Sequence, residues 1–324
     1  MKDVLTIGAA TRDVFLESPA FKIISSDEFQ TGLGECVALG SKNEVTGLTF
    51  ETGGGATNAA TTFARLGFKT SAAVSVGSDS NGYEIIKVLK KEKVDIGDIQ
   101  KQKEVITAYS TLLLWSGGQR SVLVYRGASD QLDIEKFKSS AWKIKWAYLT
   151  SLGQGVGQLK IIAEKIKQNN ISLCWNPGGV ELSLGRTSLE PMLAVTKILL
   201  INKEEAATLL NISPKEESKI LANAKSLAPI VLITDGEKGA YMCEGGSWSH
   251  IATTGVKAKN PTGAGDAFGS GYVAGVIKYG DNKKAAQLAI LNSEGVIQHT
   301  GAKKGILKKW PTEDELEKVK ISKI

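Results

Sequence analysis

The chain has 324 residues, 42% of them apolar and 23% charged, enough to bury a large core in one α/β domain with an accessory element or in two ordinary domains. No apolar run is long enough to span a bilayer, and the net charge of +6 comes from lysines spread over helical segments with no basic stripe interleaved with aromatics. Neither a membrane nor nucleic acid is therefore an expected partner. Three cysteines without CxxC spacing and only two histidines exclude a disulfide framework, a zinc site and a histidine metal centre, so acid–base chemistry has to rest on carboxylates.

The first segment, MKDVLTIGAA, has an acid at Asp3 and a short apolar run that reads as a strand and not as a secretion signal; a cytoplasmic location is the expectation. Further β-rich runs follow at SAAVSVG from 71, WAYLTSL from 146, SLCWN from 172, ILLIN from 198 and IVLITDG from 230. Helical periodicity lies between them, in YEIIKVLKKEKV from 83, QLKIIAEKIKQ from 158, EESKILANAKSL from 216 and KKAAQLAILNSEGVI from 283. This alternation predicts a three-layer α/β/α domain with a mostly parallel central sheet. Two segments break the pattern: approximately 15–50, and 105–126, which reads as two strands around WSGGQ. They predict a small discontinuous β-sheet standing off the single domain 1–324 as a lid.

The most informative stretch is NPTGAGDAFGSG at 260–271. Gly263, Ala264 and Gly265 leave backbone N–H groups unshielded at what reads as a helix start, where donors lack internal partners and the macrodipole is positive. Asp266 follows, placed to take a proton from an incoming hydroxyl while those N–H groups hold the charge on a transferring phosphoryl group. Gly265, Gly269 and Gly271 also suggest a helix face packed closely on a neighbour.

Three other loops bear on chemistry. ETGGGATNAATTFARLG, from Glu51, lets the backbone approach a polar molecule at Gly54 and offers the Asn58 amide to hydroxyls. A dinucleotide loop is the competing reading, but Asn58 replaces the third glycine of GxGxxG, and GQGVG at 153–157 lacks that glycine as well. ITDGEKGAYM supplies Thr234, Gly236 and Gly239 as TxGxxG after a strand, a phosphate-wrapping loop or an ordinary hairpin turn. NKEEAATLL opens a helix with Asn202 and Glu205 at NxxE spacing, a helix cap or a carboxylate that holds Mg²⁺ through water.

Together these motifs resemble the ribokinase-like, or PfkB, family of carbohydrate kinases over essentially the whole chain: TGAGDAF at 262–268, GGGATNAA at 53–60, NKEE at 202 and TDGEKG at 234. VGSDSNG from Val76 and YRGAS from Tyr125 are similar to further segments of the family. The resemblance implies Asp266 as catalytic base, Gly263, Ala264 and Gly265 as anion hole, and Thr234, Gly236 and Gly239 as nucleotide phosphate loop. It implies Asn202 and Glu205 as the pair governing Mg²⁺ and phosphate, and Asp13, Gly54 and Asn58 as holding substrate hydroxyls. Arg126 is a candidate for a polar or anionic substrate group, or else a solvated lid charge. The implied ligands are ATP, Mg²⁺ and a small sugar or related alcohol, and a homodimer through the lid belongs to the same expectation.

The departures shape the substrate expectation. Asn260 and Pro261 stand where ribokinases place residues of the type Asp-Thr, which argues against activation by a monovalent cation. Gly55 and Gly153 replace a lysine and an acid of ribokinase, which argues against ribose, and WNPGG at 175–179 lacks an arginine of several hexose and keto-acid kinases. The expected activity is ATP-dependent, Mg²⁺-assisted transfer to a hydroxyl of a sugar-like molecule. A nucleoside kinase is the alternative within the same chemistry, and a non-catalytic sugar or nucleotide sensor the alternative outside it.

Overall fold

The computed structural model describes residues 2–29, 31–115 and 120–324. Its main sheet has nine strands. From the edge inward and across, they are Ile321–Lys323, Ser247–Ile251, Ala240–Glu244, Ile230–Thr234, Thr196–Asn202, Ser172–Asn176, Ile144–Thr150, Lys2–Ile7 and Thr70–Ala73. The strands from Ile230–Thr234 to Thr70–Ala73 pair in parallel, whereas the first three named, Ile321–Lys323, Ser247–Ile251 and Ala240–Glu244, pair antiparallel.

Side-chain alternation along these strands splits the core into two faces. Leu5, Ile7, Leu149, Leu199, Ile201, Val231 and Ile233 pack with the helices Val156–Gln168, Gly185–Leu193 and Lys203–Leu210. Val4, Tyr148, Ile198, Leu200 and Leu232 pack on the other face with Phe63 of helix Gly55–Arg65 and Phe268, Tyr272 and Ala289 of helices Ala264–Tyr279 and Asn282–Ile297. Strands covered on both sides read as continuous apolar runs, which is why ILLIN and IVLIT stand out in the sequence.

The expected three-layer α/β/α arrangement is present, with instructive differences in detail. SAAVSVG is two strands: Thr70–Ala73 joins the main sheet, and Ser75–Gly77 pairs with Gln100–Gln102. The two strands after Thr234 form a hairpin, where their alternation with turn residues obscured them in a search for parallel strands. The close-packed face of the Ala264–Tyr279 helix uses Gly269 against Tyr148 and Leu200, Gly271 against Ala289 and Asn292, and Gly275 against Ala285. Gly265 faces open space instead.

A separate four-stranded sheet runs Arg120–Tyr125, Ala108–Leu114, Thr11–Glu17, Gly47–Gly53, with the hairpin Lys22–Ser25 and Leu33–Cys36 beside it. Its first strand begins at Thr11, ahead of the expected boundary at Phe15, because TRDVFLE continues in extended form directly after the bend at Gly8–Ala10. Asp13 is accordingly inside a strand of this sheet. Of the expected WSGGQ turn, residues 116–119 lie outside those described; the flanking strands pair antiparallel.

Candidate active site

Asp266 lies in the first turn of helix Ala264–Tyr279, whose N-cap is Gly263 in the left-handed region at φ 83°. Neither Thr262 nor any other side chain caps this helix. The Ala264 N–H donates to the Pro261 carbonyl and the Ala267 N–H to the Gly263 carbonyl. Among the described residues, the N–H groups of Gly265 and Asp266 between them have no backbone acceptor. They form the unshielded positive end of a sixteen-residue helix beside a carboxylate.

Asn58, buried in the first turn of helix Gly55–Arg65, meets Asp266 from the opposite element: its Nδ2 donates to Asp266 Oδ2 at 2.8 Å. Its Oδ1 accepts from Lys303 Nζ at 2.7 Å. A lysine only donates and a carboxylate only accepts, so the amide orientation is forced. Lys303 also donates to the Thr52 carbonyl at 2.5 Å and to Thr57 Oγ1 at 2.9 Å.

Asp13 completes the polar cluster, accepting from Thr11 Oγ1 at 2.7 Å with 6% of its surface exposed. Gly53 gives it room, since a Cβ there would meet the Asp13 carboxylate. Gly54, at φ 90°, brings its backbone against Ala9 and Ala10 and acts as the helix N-cap.

Burial dominates the electrostatics. It raises the carboxyls of Asp266 and Asp13 above their ordinary value, against the Asn58 hydrogen bond to Asp266, the Thr11 bond to Asp13 and the nearby Lys303 charge; the Asp13 charge raises Asp266 further. Burial likewise pushes Lys303 down to about 8, opposed by Asp13 and Asp266, and its three hydrogen-bond partners suit the ammonium form.

Asn202 and Thr234 are register partners at the carboxyl ends of neighbouring strands, which brings the NxxE and TxGxxG loops side by side. Asn202 and Glu205 form a reciprocal capping box, Asn202 Oδ1 accepting from Glu205 N and Glu205 Oε2 from Asn202 N, each at 2.8 Å. Burial raises the Glu205 carboxyl, as do the charges of Glu204 and Asp266, while the Asn202 backbone bond lowers it. Only one of its oxygens serves the cap. A partly buried carboxylate with an oxygen to spare, within the field of Asp266, suits a hydrated Mg²⁺; among the described residues no group of three or more potential ligands gathers to bind one directly.

The TDGEKG loop is indeed the turn of a hairpin, closed by Asp235 N–H donating to the Gly239 carbonyl. Gly236 at φ 55° and Gly239 at φ 91° are both in left-handed conformations, and a Cβ on Gly239 would strike the Ile251 carbonyl.

Arg126 is exposed, and it is not among the charges that act on Asp266 or Asp13. Its guanidinium and the Asp130 carboxylate fill the space beside Gly153, which has φ 68°. The loop that carries it is tied to the first strand's exit, because Ser129 Oγ donates to the Ala10 carbonyl at 3.0 Å. Fully buried Glu181 holds the adjoining loop by accepting from Leu152 N, Gly153 N, Ser151 Oγ and Gly178 N. Sequence reasoning passed over both Glu181 and Lys303. Each sits among residues that read as an ordinary helix start or a solvated lysine loop, and no spacing marks them.

A large mostly parallel sheet with a small accessory sheet, and a carboxylate at a glycine-rich helix start, define a phosphotransferase of the ribokinase-like fold. Residues 1–309 match the family described as pfkB family carbohydrate kinase, and the chain belongs to that family. It is 25% identical over 321 residues to a bifunctional ribokinase/ribose-5-phosphate isomerase A of Fructilactobacillus sanfranciscensis, covering 94% of this chain and 54% of the relative, so it spans about half the length of that protein. Among solved structures, a nucleoside kinase of Methanocaldococcus jannaschii superimposes with a TM-score of 0.77 at 18% identity over 98% of each chain. An Arabidopsis thaliana ribokinase complexed with ribose and ATP gives 0.76 at 18% identity, again over 98% of each. No helix among the described residues is long and apolar enough to cross a membrane.

Proposed function

We propose that the protein transfers the γ-phosphoryl group of ATP to a hydroxyl of a small sugar or sugar-like alcohol, with Asp266 as base. The observation that carries this reading is the pairing of the Asp266 carboxylate with the free N–H groups of Gly265 and Asp266 in one helix turn. Asp266 accepts the proton of the acceptor hydroxyl as its oxygen attacks phosphorus in line, and the helix N-terminus takes up the charge on the transferred group. A raised carboxyl makes Asp266 a stronger proton acceptor than a free aspartate, while the Asn58 bond favours its ionised form and aims it.

Thr234, Gly236 and Gly239 receive the nucleotide phosphates. Asn202 and Glu205 hold Mg²⁺ through its waters; when bound, the ion offsets charge on the phosphates. Asp13, Gly54 and Asn58 hold acceptor hydroxyls under the small sheet, which serves as a lid, and Arg126 takes a polar or anionic group at the rim. Leu48, Phe50, Leu123 and Tyr125 share, by register, the sheet face opposite Asp13 and are exposed, which supports a second copy of the chain packing on the lid. The nucleoside alternative draws support from the fold shared with the archaeal nucleoside kinase. A sensor would have no use for a base beside an anion hole.

The test is an ADP-release assay with ATP and Mg²⁺ over pentoses, hexoses, polyols, keto-acids and nucleosides, run beside Asp266→Asn. Acceptor-dependent ADP release that Asp266→Asn abolishes supports the reading. Sugar or nucleotide binding without turnover on any acceptor would make the protein a sensor.

A further inference from the structure

Lys303 is a lysine with 7% of its surface exposed, lying in the loop after helix Asn282–Ile297. Lysine is almost never found so deep without partners, because desolvating an ammonium costs several kcal/mol. Here all three of its donors are used, on the Thr52 carbonyl, Thr57 Oγ1 and Asn58 Oδ1. Its backbone is fixed from the other side. Arg65 donates to the Lys303 carbonyl at 2.8 Å and to that of Ile306 at 3.2 Å, and is itself paired with Glu92. The preceding residue, Ala302, lies against Gly263 so closely that a Cβ on the glycine would strike it. One short loop thus touches both the cap of the Asp266 helix and the amide that holds Asp266.

We propose that Lys303 is a positioning residue for phosphoryl transfer: it locks the Asn58 amide so that Nδ2 can only face Asp266, and it supplies positive charge near both Asp13 and Asp266. The inference rests on the reading of Asp266 as base. The lock follows from donor chemistry. If Lys303 were replaced by an apolar group, Asn58 could flip or swing to find another partner for Oδ1, and the Asp266 rotamer would lose its anchor. The charge acts in parallel. Asp266 is faced by Asn58 and Lys303 and lies in the fields of Asp13 and Glu205, while Lys303 also feels Glu51 and Glu92. Removing the cation leaves acids around Asp266, which favours its protonated form. The acid limb of kcat then moves to higher pH.

The experiment measures kcat, KM and their pH dependence for Lys303→Met, Asp266→Asn and the double variant, with ATP and the fastest acceptor of the panel above. ADP affinity by calorimetry and the melting temperature are measured alongside. Lys303→Met is expected to lower kcat about 10- to 100-fold and to move the acid limb upward, with ADP affinity held within about threefold. In the Asp266→Asn background the same substitution is expected to cost no more than about threefold, because the group it positions is gone. A merely structural lysine would cost the same in both backgrounds, and that outcome, or a wild-type kcat and acid limb in Lys303→Met, overturns the proposal. If the Met variant does not fold, Lys303→Gln, which keeps a donor toward Asn58 without the charge, is measured in its place and must still shift the limb. Failure of both to fold assigns Lys303 to folding and also overturns it. Retained turnover in Asp266→Asn alone would instead remove the functional reading beneath.

Discussion

Asn58 Nδ2 and Asp266 Oδ2 are joined at 2.8 Å across 208 residues of sequence, one at the start of the first long helix and the other at the start of a late one. The two helices pack against the same face of the sheet, so a single hydrogen bond ties the glycine-rich segment after the small sheet to the start of the Asp266 helix. An amide N–H bonded to a carboxylate favours the ionised form, and burial opposes it. The balance sets how the site responds to substitution and to pH.

Asp266→Asn is expected to keep the fold and the nucleotide affinity while kcat falls about 10²- to 10⁴-fold, the range for a lost general base. Steady-state kinetics with calorimetry of ADP checks it. Retention of more than about a tenth of wild-type turnover removes Asp266 from the role of base.

The same variant should be more stable than wild type at pH 7. Burial raises the Asp266 carboxyl in the folded state, so the folded protein binds this proton more tightly than the unfolded chain does. The contribution is fully favourable below the unfolded value and is lost as pH rises through the folded one. Asparagine carries no such penalty, so its advantage in melting temperature should narrow as pH falls into the carboxylate range. A lower melting temperature than wild type at pH 7 would contradict this account.

The acid limb of wild-type kcat should lie above about 3.9, the value of a free aspartate, for the same reason. Asn58→Leu deletes a bond to the ionised form, and its limb should lie higher still, together with a raised acceptor KM. A pH–rate profile in which Asn58→Leu moves the limb downward would be the contrary result.

Gly263 and Gly265 should separate in their effects. Gly263→Ala places a side chain at φ 83° and against Ala302, so it should cost about 1–3 kcal/mol of stability. Gly265→Ala meets nothing within 4 Å and improves helix propensity by about 1 kcal/mol, so it should melt no lower than wild type. Its Cβ nevertheless stands by the N–H groups proposed to hold the phosphoryl group. ATP-dependent turnover should fall more than acceptor binding, measured by titration of each ligand alone.

Asp13→Ala should raise the acceptor KM by an amount corresponding to about 1.5–3 kcal/mol, the range for a hydrogen bond to a charged group, with nucleotide binding little changed. An unchanged KM with a lowered melting temperature would show that Asp13 serves only the small sheet, where it accepts from Thr11.

What the sequence by itself determined is the layered sheet and the loops at its carboxyl edge. Strands buried on both faces must be apolar throughout, as in ILLIN and IVLIT, and a backbone that approaches an anion must be stripped of side chains, as in TGAGD. The hairpin strands after Thr234 and the start of the small sheet at Thr11 were less legible, because antiparallel edge strands carry mixed polar and apolar residues and no helix separates them. Only the tertiary structure decided the polar wiring. Asn202 and Glu205 are near in sequence, so their capping box was readable from spacing; Asn58, Asp266, Asp13 and Lys303 come from four distant segments and meet only when the sheet is assembled. A lysine in AKKGIL reads as solvated because local sequence carries no information about what will cover it. It is buried because Ala302 seats on Gly263 and Arg65 holds the loop, contacts fixed by the packing of helices and not by any neighbour in the chain.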